Sequence, residues 1–373
     1  MANPGDVARA VGAILRRVGV ALSLGLICCA LAADGHAAEA AATQPDIRYV
    51  LDKGFPQSSP IGFADVSWPA FDAANRRLVL LQRSAEAVSF WTPKGNLLSS
   101  WRNADLGKPH SITLHSDASG TESVWITDMA PPNPAGPADG HCLKRFTPEG
   151  KLVDVIGVCG AHSQGRGLDP VQFDLVTDIA FDARGNLFVS DGDIGGLNNR
   201  VLQLDPAGKV LQVWSAPDGR PGAGPKEFNL PHALKVDGCE RVWVADTLNH
   251  RIQVISTGGV FLGELMCFGD DGVYGIDLVP IGTALSRLFV TSSPTSHPTG
   301  GTVHVVDVPM SCSRPDIIGD CKAGARWRIK LPPAPETAML HAISVDPNNQ
   351  DVYLSELGGD LPPQRWVRVG GAE

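Results

Sequence analysis

The chain has 373 residues and a formal net charge of −9, with 41 glycines, 29 prolines and 19% charged residues. An acidic chain without a basic stripe makes nucleic acid an unexpected partner. Its 43% hydrophobic content and mixed charge argue against disorder. The many glycines and prolines, with only 6% aromatic residues, favour short strands separated by turns.

The first forty residues have the pattern of an export signal. Three arginines precede an uncharged, mostly apolar run at 18–33, and small residues follow around 38–40. The run is short for a membrane span, and no stop-transfer flank follows that would favour the alternative of an uncleaved anchor. The sequence therefore predicts a signal peptide over 1–40 and a secreted or periplasmic domain over 41–373, with no stable membrane span after processing.

A repeated unit of four short strands follows, and it is clearest at 173–214 and 228–265. Each copy has four apolar or alternating stretches separated by turn residues such as Asp237-Gly238. The copies align on Ser190-Asp191 with Ala245-Asp246. Four strands at a period of about forty to fifty residues are typical of β-propeller blades.

We therefore predict an all-β fold, a six-bladed β-propeller of four-stranded antiparallel blades. The blades are assigned to residues 63–102, 109–158, 173–214, 228–265 and 273–308, with a sixth containing 341–356 and 365–369. A strand at Asp46–Leu51 is expected to pair with the last blade, close the ring and hide its edge. A seven-bladed ring remains the alternative if 294–333 contains another unit.

Six cysteines lie beyond the predicted signal peptide, and an even count in an exported chain favours disulfides. Cys142 and Cys159 flank a predicted hairpin, so they are placed to face each other across its strands. Six cysteines permit fifteen connectivities, of which we favour Cys142 with Cys159, Cys312 with Cys321 and, by elimination, Cys239 with Cys267. A metal-thiolate site is the weaker interpretation, because no Cys-x-x-Cys occurs.

Three histidines recur at the same point of every second unit. They are His110 of Pro-His-Ser-Ile-Thr-Leu, His232 of Pro-His-Ala-Leu-Lys-Val and His341 of Leu-His-Ala-Ile-Ser-Val. The units between them are assigned Asp65, Asp178 and Gly275 at that position. Alternate blades of a six-membered ring stand about 120° apart, and side chains at the entrance of the innermost strands converge on the axis. Three converging imidazoles predict a metal site. Zinc is the first candidate, because three protein ligands leave a position open for water or substrate.

The remaining histidines of the predicted domain are assigned to packing or to the surface, which is the more common role of a lone histidine. They are His115, His141, His162, His250, His297 and His304.

Blades 3 and 4 resemble the NHL repeat, whose pattern here reads Trp243-Val244-Ala245-Asp246 and then Asn249-His250-Arg251-Ile252-Gln253. Across the six blades the chain is similar to the catalytic propeller of peptidyl-α-hydroxyglycine α-amidating lyase, a zinc enzyme that releases a peptide amide and glyoxylate. The matching segments are PHSITL with VWITD, VTDIAFDARGNLFVSDG with NNRVLQLDPAGK, FNLPHALKV with VADTLNHRIQVI, and AMLHAISV.

The resemblance implies a zinc-dependent lyase in which His110, His232 and His341 bind the metal and Arg83 is an active-site arginine. It also implies a structural calcium ion. Three family positions differ: the tyrosine after Ser-Asp-Gly is Asp193, a second arginine is Thr247, and the aspartate after the third histidine is Ala342. We therefore expect a related reaction on a small-molecule or peptide-derived substrate.

Asp193 and Arg83 are the candidate catalytic residues. Asp193 is placed to act as a general base if it projects into the channel mouth, and Arg83 to hold a carboxylate through its forked donors. A solvated turn aspartate and a surface arginine are the alternatives. Tyr274 is a further residue that can approach the axis. The competing hypothesis for the whole protein is a non-catalytic NHL propeller that binds a protein or small ligand; the sequence leaves the oligomeric state open.

Overall fold

The computed structural model describes residues 47–57, 59–102, 104–130, 140–161, 167–295, 300–310, 312, 325–331 and 338–370. The predicted signal peptide lies outside these residues, as do His162, His297 and Cys321. No helix within the described ranges has the length and apolar character needed to cross a membrane.

The described chain forms six antiparallel sheets of four strands, which are the blades of a propeller. Blade 1 comprises β2 (Val66–Asp72), β3 (Arg77–Gln82), β4 (Val88–Trp91) and β5 (Leu97–Trp101). Blade 2 comprises β6 (Lys108–Ser116), β7 (Glu122–Ala130), β8 (Cys142–Phe146) and β9 (Leu152–Ile156). Blade 3 comprises β10 (Val176–Phe181), β11 (Leu187–Asp191), β12 (Arg200–Leu204) and β13 (Val210–Trp214). The innermost strands contact one another in ring order, from β2 through β6, β10, β14 and β18 to β22.

Blade 4 comprises β14 (Pro231–Val236), β15 (Arg241–Asp246), β16 (Arg251–Ser256) and β17 (Phe261–Leu265). Blade 5 comprises β18 (Gly272–Ile281), β19 (Leu285–Ser293), β20 (Thr302–Pro309) and β21 (Ala325–Lys330). Blade 6 comprises β22 (Met339–Val345), β23 (Val352–Leu357), β24 (Gln364–Val369) and the N-terminal strand β1 (Arg48–Leu51). A 3-10 helix, Thr247–Asn249, connects β15 to β16.

The ring closes as predicted, and the blade count is six. Strand β1 pairs with β24 from Arg48 opposite Val369 to Leu51 opposite Trp366, which covers the outer edge of blade 6. The seven-bladed alternative is wrong, because β21 is the fourth strand of blade 5. That blade therefore continues well past its predicted end at residue 308.

Burial explains which stretches became the inner strands. All five residues of β11 and all six of β15 are buried, because neighbouring blades cover both faces of these strands. The outermost strand β13 is largely half-exposed. Three tryptophans pack within the blades and are 3%, 0% and 3% exposed: Trp125, Trp243 and Trp214.

Glycines at left-handed positions make the turns between the third and fourth strands of blades 1 to 4. Gly95, Gly150, Gly208 and Gly259 have φ angles of 84°, 89°, 85° and 85°, a region that glycine adopts without a steric penalty. Gly150 also packs closely, since a Cβ there would lie 2.7 Å from the ring of Trp101 in blade 1. The turn therefore contributes to the interface between blades.

The cysteine pairing is confirmed at one bridge and wrong at the other two. Cys142 and Cys159 are bonded, with Cα atoms 5.0 Å apart. Cys239 is bonded to Cys312, 73 residues away, which excludes both of the other expected pairs. Cys267 is also disulfide-bonded. The sequence did not show that the β14–β15 turn of blade 4 lies against the end of β20 in blade 5.

Candidate metal centre

Each of the three histidines stands at a β-bulge near the start of an innermost strand. The pairing register slips between Pro109 and Ile112, between Pro231 and Leu234, and between Leu340 and Ala342. A bulge leaves residues out of the ladder and re-aims their side chains. Proline suits the position before the bulge, because it has no N–H to donate.

The bulges of the other three blades correct the predicted register of the repeat. The residues equivalent to the histidines are Ser67, Thr177 and Tyr274 rather than Asp65, Asp178 and Gly275. The sequence assignments are off by one or two residues, since alternation of polar and apolar residues does not show where a bulge inserts an extra residue.

Every Nδ1 of the trio is bonded to the next blade of the ring. The acceptors are backbone carbonyls: Thr177 for His110 at 2.8 Å, Tyr274 for His232 at 2.9 Å and Ser67 for His341 at 2.8 Å. A carbonyl oxygen only accepts, so each Nδ1 carries the proton and each Nε2 keeps a lone pair. This second hydrogen bond is the one that orients metal-ligating histidines.

The three imidazoles meet on the axis. Their ring centroids are 4.7–4.9 Å apart, and their ligand nitrogens all lie within 4.8 Å of one another, so the group can hold a metal ion. Nε2 of His110 is buried and has no hydrogen-bond partner in the described part of the chain, so its lone pair is available to a metal ion. Among the described residues this is the one such cluster of three.

Trp68 of β2 forms the floor beneath the trio. Its ring lies 5.7 Å from those of His110 and His341 and 6.0 Å from that of His232, and it is 4% exposed. The indole therefore packs against all three imidazoles. This role of Trp68 was not predictable from the sequence, because the bulge that precedes it is visible only in the strand register.

Electrostatics keep the trio neutral. Burial lowers the pKa of all three imidazoles, and for His110 and His341 the charge that another imidazole would carry lowers it further. The nearby positive charge of Arg83 acts in the same direction on all three. Neutral imidazole is the form that binds a metal ion.

Buried carboxylates at the ends of the second strands hold the segments that lead into the histidines. Asp128 accepts hydrogen bonds from the backbone N–H groups of Gly107 and Lys108, just before His110, and Asp246 accepts one from Asn229, before His232. Asp246 is also paired with Arg251 at 2.8 Å, as Asp191 is with Arg200. Recurrence of the same pair in two blades is typical of scaffold residues.

Asp193 lies in the β11–β12 connection beside the trio. Its Oδ2 is 3.9 Å from Nε2 of His110, and its Oδ1 accepts the backbone N–H of Ile194 at 2.7 Å. The preceding Gly192 has a φ of 143°, and a Cβ there would collide with the carbonyl of Asn198. Only glycine lets the loop close on itself in this way.

Arg83 follows β3 and lies against the strand that carries His110. Its backbone N–H donates to Ala64 at 3.1 Å, and its Nε donates to the carbonyl of Pro109 at 3.3 Å. Burial lowers the pKa of its guanidinium, which is opposed by the carboxylates of Asp65 and Asp193. The structure therefore places Asp193 beside His110 and Arg83 against the residue that precedes it.

Tyr274 also reaches the axis. Its ring centroid is 5.2 Å from that of His232 and 6.4 Å from that of His341, and burial raises the pKa of its phenol to about 12. The phenol therefore stays protonated near neutral pH and can donate a hydrogen bond in the site.

A second polar group occupies the channel on the far side of Trp68, in a cavity of about 230 Å³. Nζ of Lys235 lies 3.3 Å from Oδ1 of Asp277. Asp178 connects blade 3 to blade 4, because it accepts the N–H of Leu234 at 2.8 Å. Burial raises the pKa of Asp178 to about 6, against the opposing charge of Lys235.

The described histidines outside the trio have packing or surface contacts, as predicted. His115 stacks on Phe181, His250 bonds through Nδ1 to the carbonyl of Asp271, and His304 bonds to Ser292.

Comparison with known proteins places the chain among NHL proteins. No protein-family model matches it. It is 32% identical to NHL repeat-containing protein 3 of Mus musculus over 327 residues, which covers 84% of this chain and 82% of that protein. Over 152 residues, 40% of this chain and 37% of the relative, it is 30% identical to a probable peptidyl-alpha-hydroxyglycine alpha-amidating lyase of Caenorhabditis elegans.

Among solved structures, a putative gluconolactonase has the same fold, with a TM-score of 0.52 and 14% identity over 88% of this chain and 94% of the other. That likeness concerns the propeller alone. The extent and identity of the match to the mouse protein decide the assignment: the chain belongs to the family of NHL repeat-containing protein 3.

Proposed function

We propose that this protein is an exported, zinc-dependent enzyme of the lyase type, related to the α-amidating lyase and acting on a small-molecule or peptide-derived substrate. The observation that carries the proposal is the locked trio of His110, His232 and His341. All three Nδ1 atoms are committed to carbonyls and all three rings meet on one axis. Structural zinc sites are closed by four protein ligands, whereas three leave room for chemistry.

Zinc held by the three Nε2 atoms would polarise a substrate oxygen and make its proton more acidic. Cleavage of an α-hydroxyglycine substrate removes the hydroxyl proton, forms the C=O of glyoxylate and breaks the C–N bond, and the departing nitrogen takes up a proton. Asp193 has a carboxylate oxygen beside His110 that accepts no hydrogen bond from the described residues, so it can accept the first proton and return it to the nitrogen.

Arg83 and Tyr274 supply the remaining donors of the proposed site. The terminal nitrogens of Arg83 can hold the substrate carboxylate as a fork, and the neutral phenol of Tyr274 can donate to a developing negative charge. Calcium is not part of the proposal, because the ammonium of Lys235 already supplies the positive charge beside the channel carboxylates Asp178 and Asp277.

Export is the second part of the proposal. It is supported by the pattern of residues 1–40 and by the disulfides Cys142–Cys159 and Cys239–Cys312, which are bonds that persist in oxidising compartments.

Metal content and turnover test the proposed enzyme together. We expect about one zinc per chain and release of glyoxylate from an α-hydroxyglycine peptide, both lost in His232→Ala and both retained in the matched control His250→Ala. A protein that binds zinc but does not release glyoxylate would favour the non-catalytic NHL propeller, in which the metal has a structural role. A wild-type protein that binds no zinc would end the proposal.

A further inference from the structure

Two cationic side chains at the mouth of the trio have unused donors. Arg83 is bonded through Nε to Pro109, but neither of its terminal nitrogens has an acceptor among the described residues. Lys108 is fixed by its backbone N–H, which donates to Asp128 at 2.8 Å. Within the same described part of the chain, its ammonium makes no hydrogen bond or ion pair. Both side chains are half-buried, so these charges are only partly compensated by water.

The two cations lie on the same side of the ring. Lys108 is two residues before His110, and the guanidinium of Arg83 is bonded to the carbonyl of the intervening Pro109. The hydrogen bond of Arg83 therefore joins its guanidinium to the residue next to Lys108.

The acidic groups of the mouth do not use up these donors. Asp65 accepts the backbone N–H of Gly358 at 2.9 Å, and Asp193 accepts that of Ile194 at 2.7 Å. In formal charge, the carboxylates of Asp65 and Asp193 balance Arg83 and Lys108. The neutral imidazoles add nothing, so a divalent ion on the trio leaves the mouth with two uncompensated positive charges.

We propose that the substrate of this site is a small dianion, with one carboxylate held by Arg83 and a second anionic group held by Lys108. The inference rests on the proposed function, because the charge of the bound metal enters the balance. The two cations would make the site selective for a dianion. A monoanion of the same size leaves the ammonium of Lys108 half-buried and without an anionic partner, and this unpaired charge disfavours its binding.

Binding of succinate and butyrate to the zinc-loaded protein, measured by calorimetry in zinc-containing buffer, tests this selectivity. The two probes have the same carbon chain and differ by one carboxylate. We expect succinate to bind about tenfold more tightly, the size of effect typical of one good charge-assisted contact. Lys108→Met should weaken succinate binding and reduce the preference to below about threefold.

Lys151→Met, on an exposed turn, is the control and should keep the wild-type preference. Zinc content, measured on every sample, separates the two hypotheses. A zinc-loaded protein that binds both probes equally, or a preference that survives Lys108→Met, overturns the dianion and leaves the zinc enzyme standing. Failure of the wild-type protein to take up zinc overturns both.

Discussion

Zinc should stabilise the wild-type protein and should not stabilise His232→Ala. The imidazole of His232 is 1% exposed and fixed by Tyr274, so its Nε2 is preorganised toward the other two rings. An ion that binds only the folded chain raises the free energy of unfolding by mass action. Removing one of three ligands leaves a two-histidine site, for which we expect an affinity at least about a hundredfold lower.

The size of the effect follows from the ligand concentration and the length of the folded chain. Zinc at about 100 times its Kd contributes roughly 2.7 kcal/mol. Unfolding a domain of about 300 residues has an entropy of about 0.6 kcal/mol per degree, so the Tm should rise by roughly 4 °C. At the same zinc concentration a hundredfold weaker site is half-filled and contributes about 0.4 kcal/mol, which is a shift below about 1 °C.

Calorimetric melting with and without zinc measures both shifts, and His250→Ala is the matched control. His250 also has its Nδ1 bonded to a backbone carbonyl, but it stands outside the trio. Its variant should show the wild-type rise. Equal zinc responses in His232→Ala and His250→Ala, or no response in the wild type, would refute the assignment of the ligands.

Three further predictions concern stability. Burial lowers the pKa of His304 to about 4, so the unfolded chain binds the proton first as the pH falls from about 6.5 to 4. The wild-type protein should therefore lose roughly 3 kcal/mol of stability over this range, and His304→Gln should not lose it. Denaturant titrations at pH 7 and pH 4 measure the difference. Lys235→Met removes the ion pair with Asp277 and should reduce the free energy of unfolding by about 1–2 kcal/mol. This is less than for a fully buried pair, because the lysine side chain is 36% exposed. Lys209→Met, in an exposed turn, should leave the free energy of unfolding unchanged. Replacing Cys142 and Cys159 by serine opens a loop of 17 residues and should cost about 3 kcal/mol in a denaturant titration; an unchanged midpoint would contradict the constraint.

The repeat made the fold and the central cluster predictable from the sequence. Four strands per unit and His110, His232 and His341 in alternate units leave little freedom once the units form a ring, since the symmetry of a ring supplies the convergence. The pairing of β1 with β24 was also predictable, because blade 6 would otherwise have an unpaired edge.

Contacts between blades were not predictable in the same way. The bond of Cys239 to Cys312 depends on a turn of blade 4 meeting the end of a strand in blade 5, and no periodicity in the chain encodes that distance. A binding role for Lys108 was not predictable from the sequence, because only the structure shows which groups surround its ammonium.

The sequence by itself determined the architecture, because hydrophobic periodicity and turn residues act locally and repeat six times. The tertiary structure alone decided which side chains line the axis. Bulges shift the register by a residue or two, and this places Ser67, Thr177 and Tyr274, rather than the predicted residues, beside the histidines. A shift of one residue turns a strand's side chains to the opposite face, so the composition of the site depends on backbone geometry that alternation does not record.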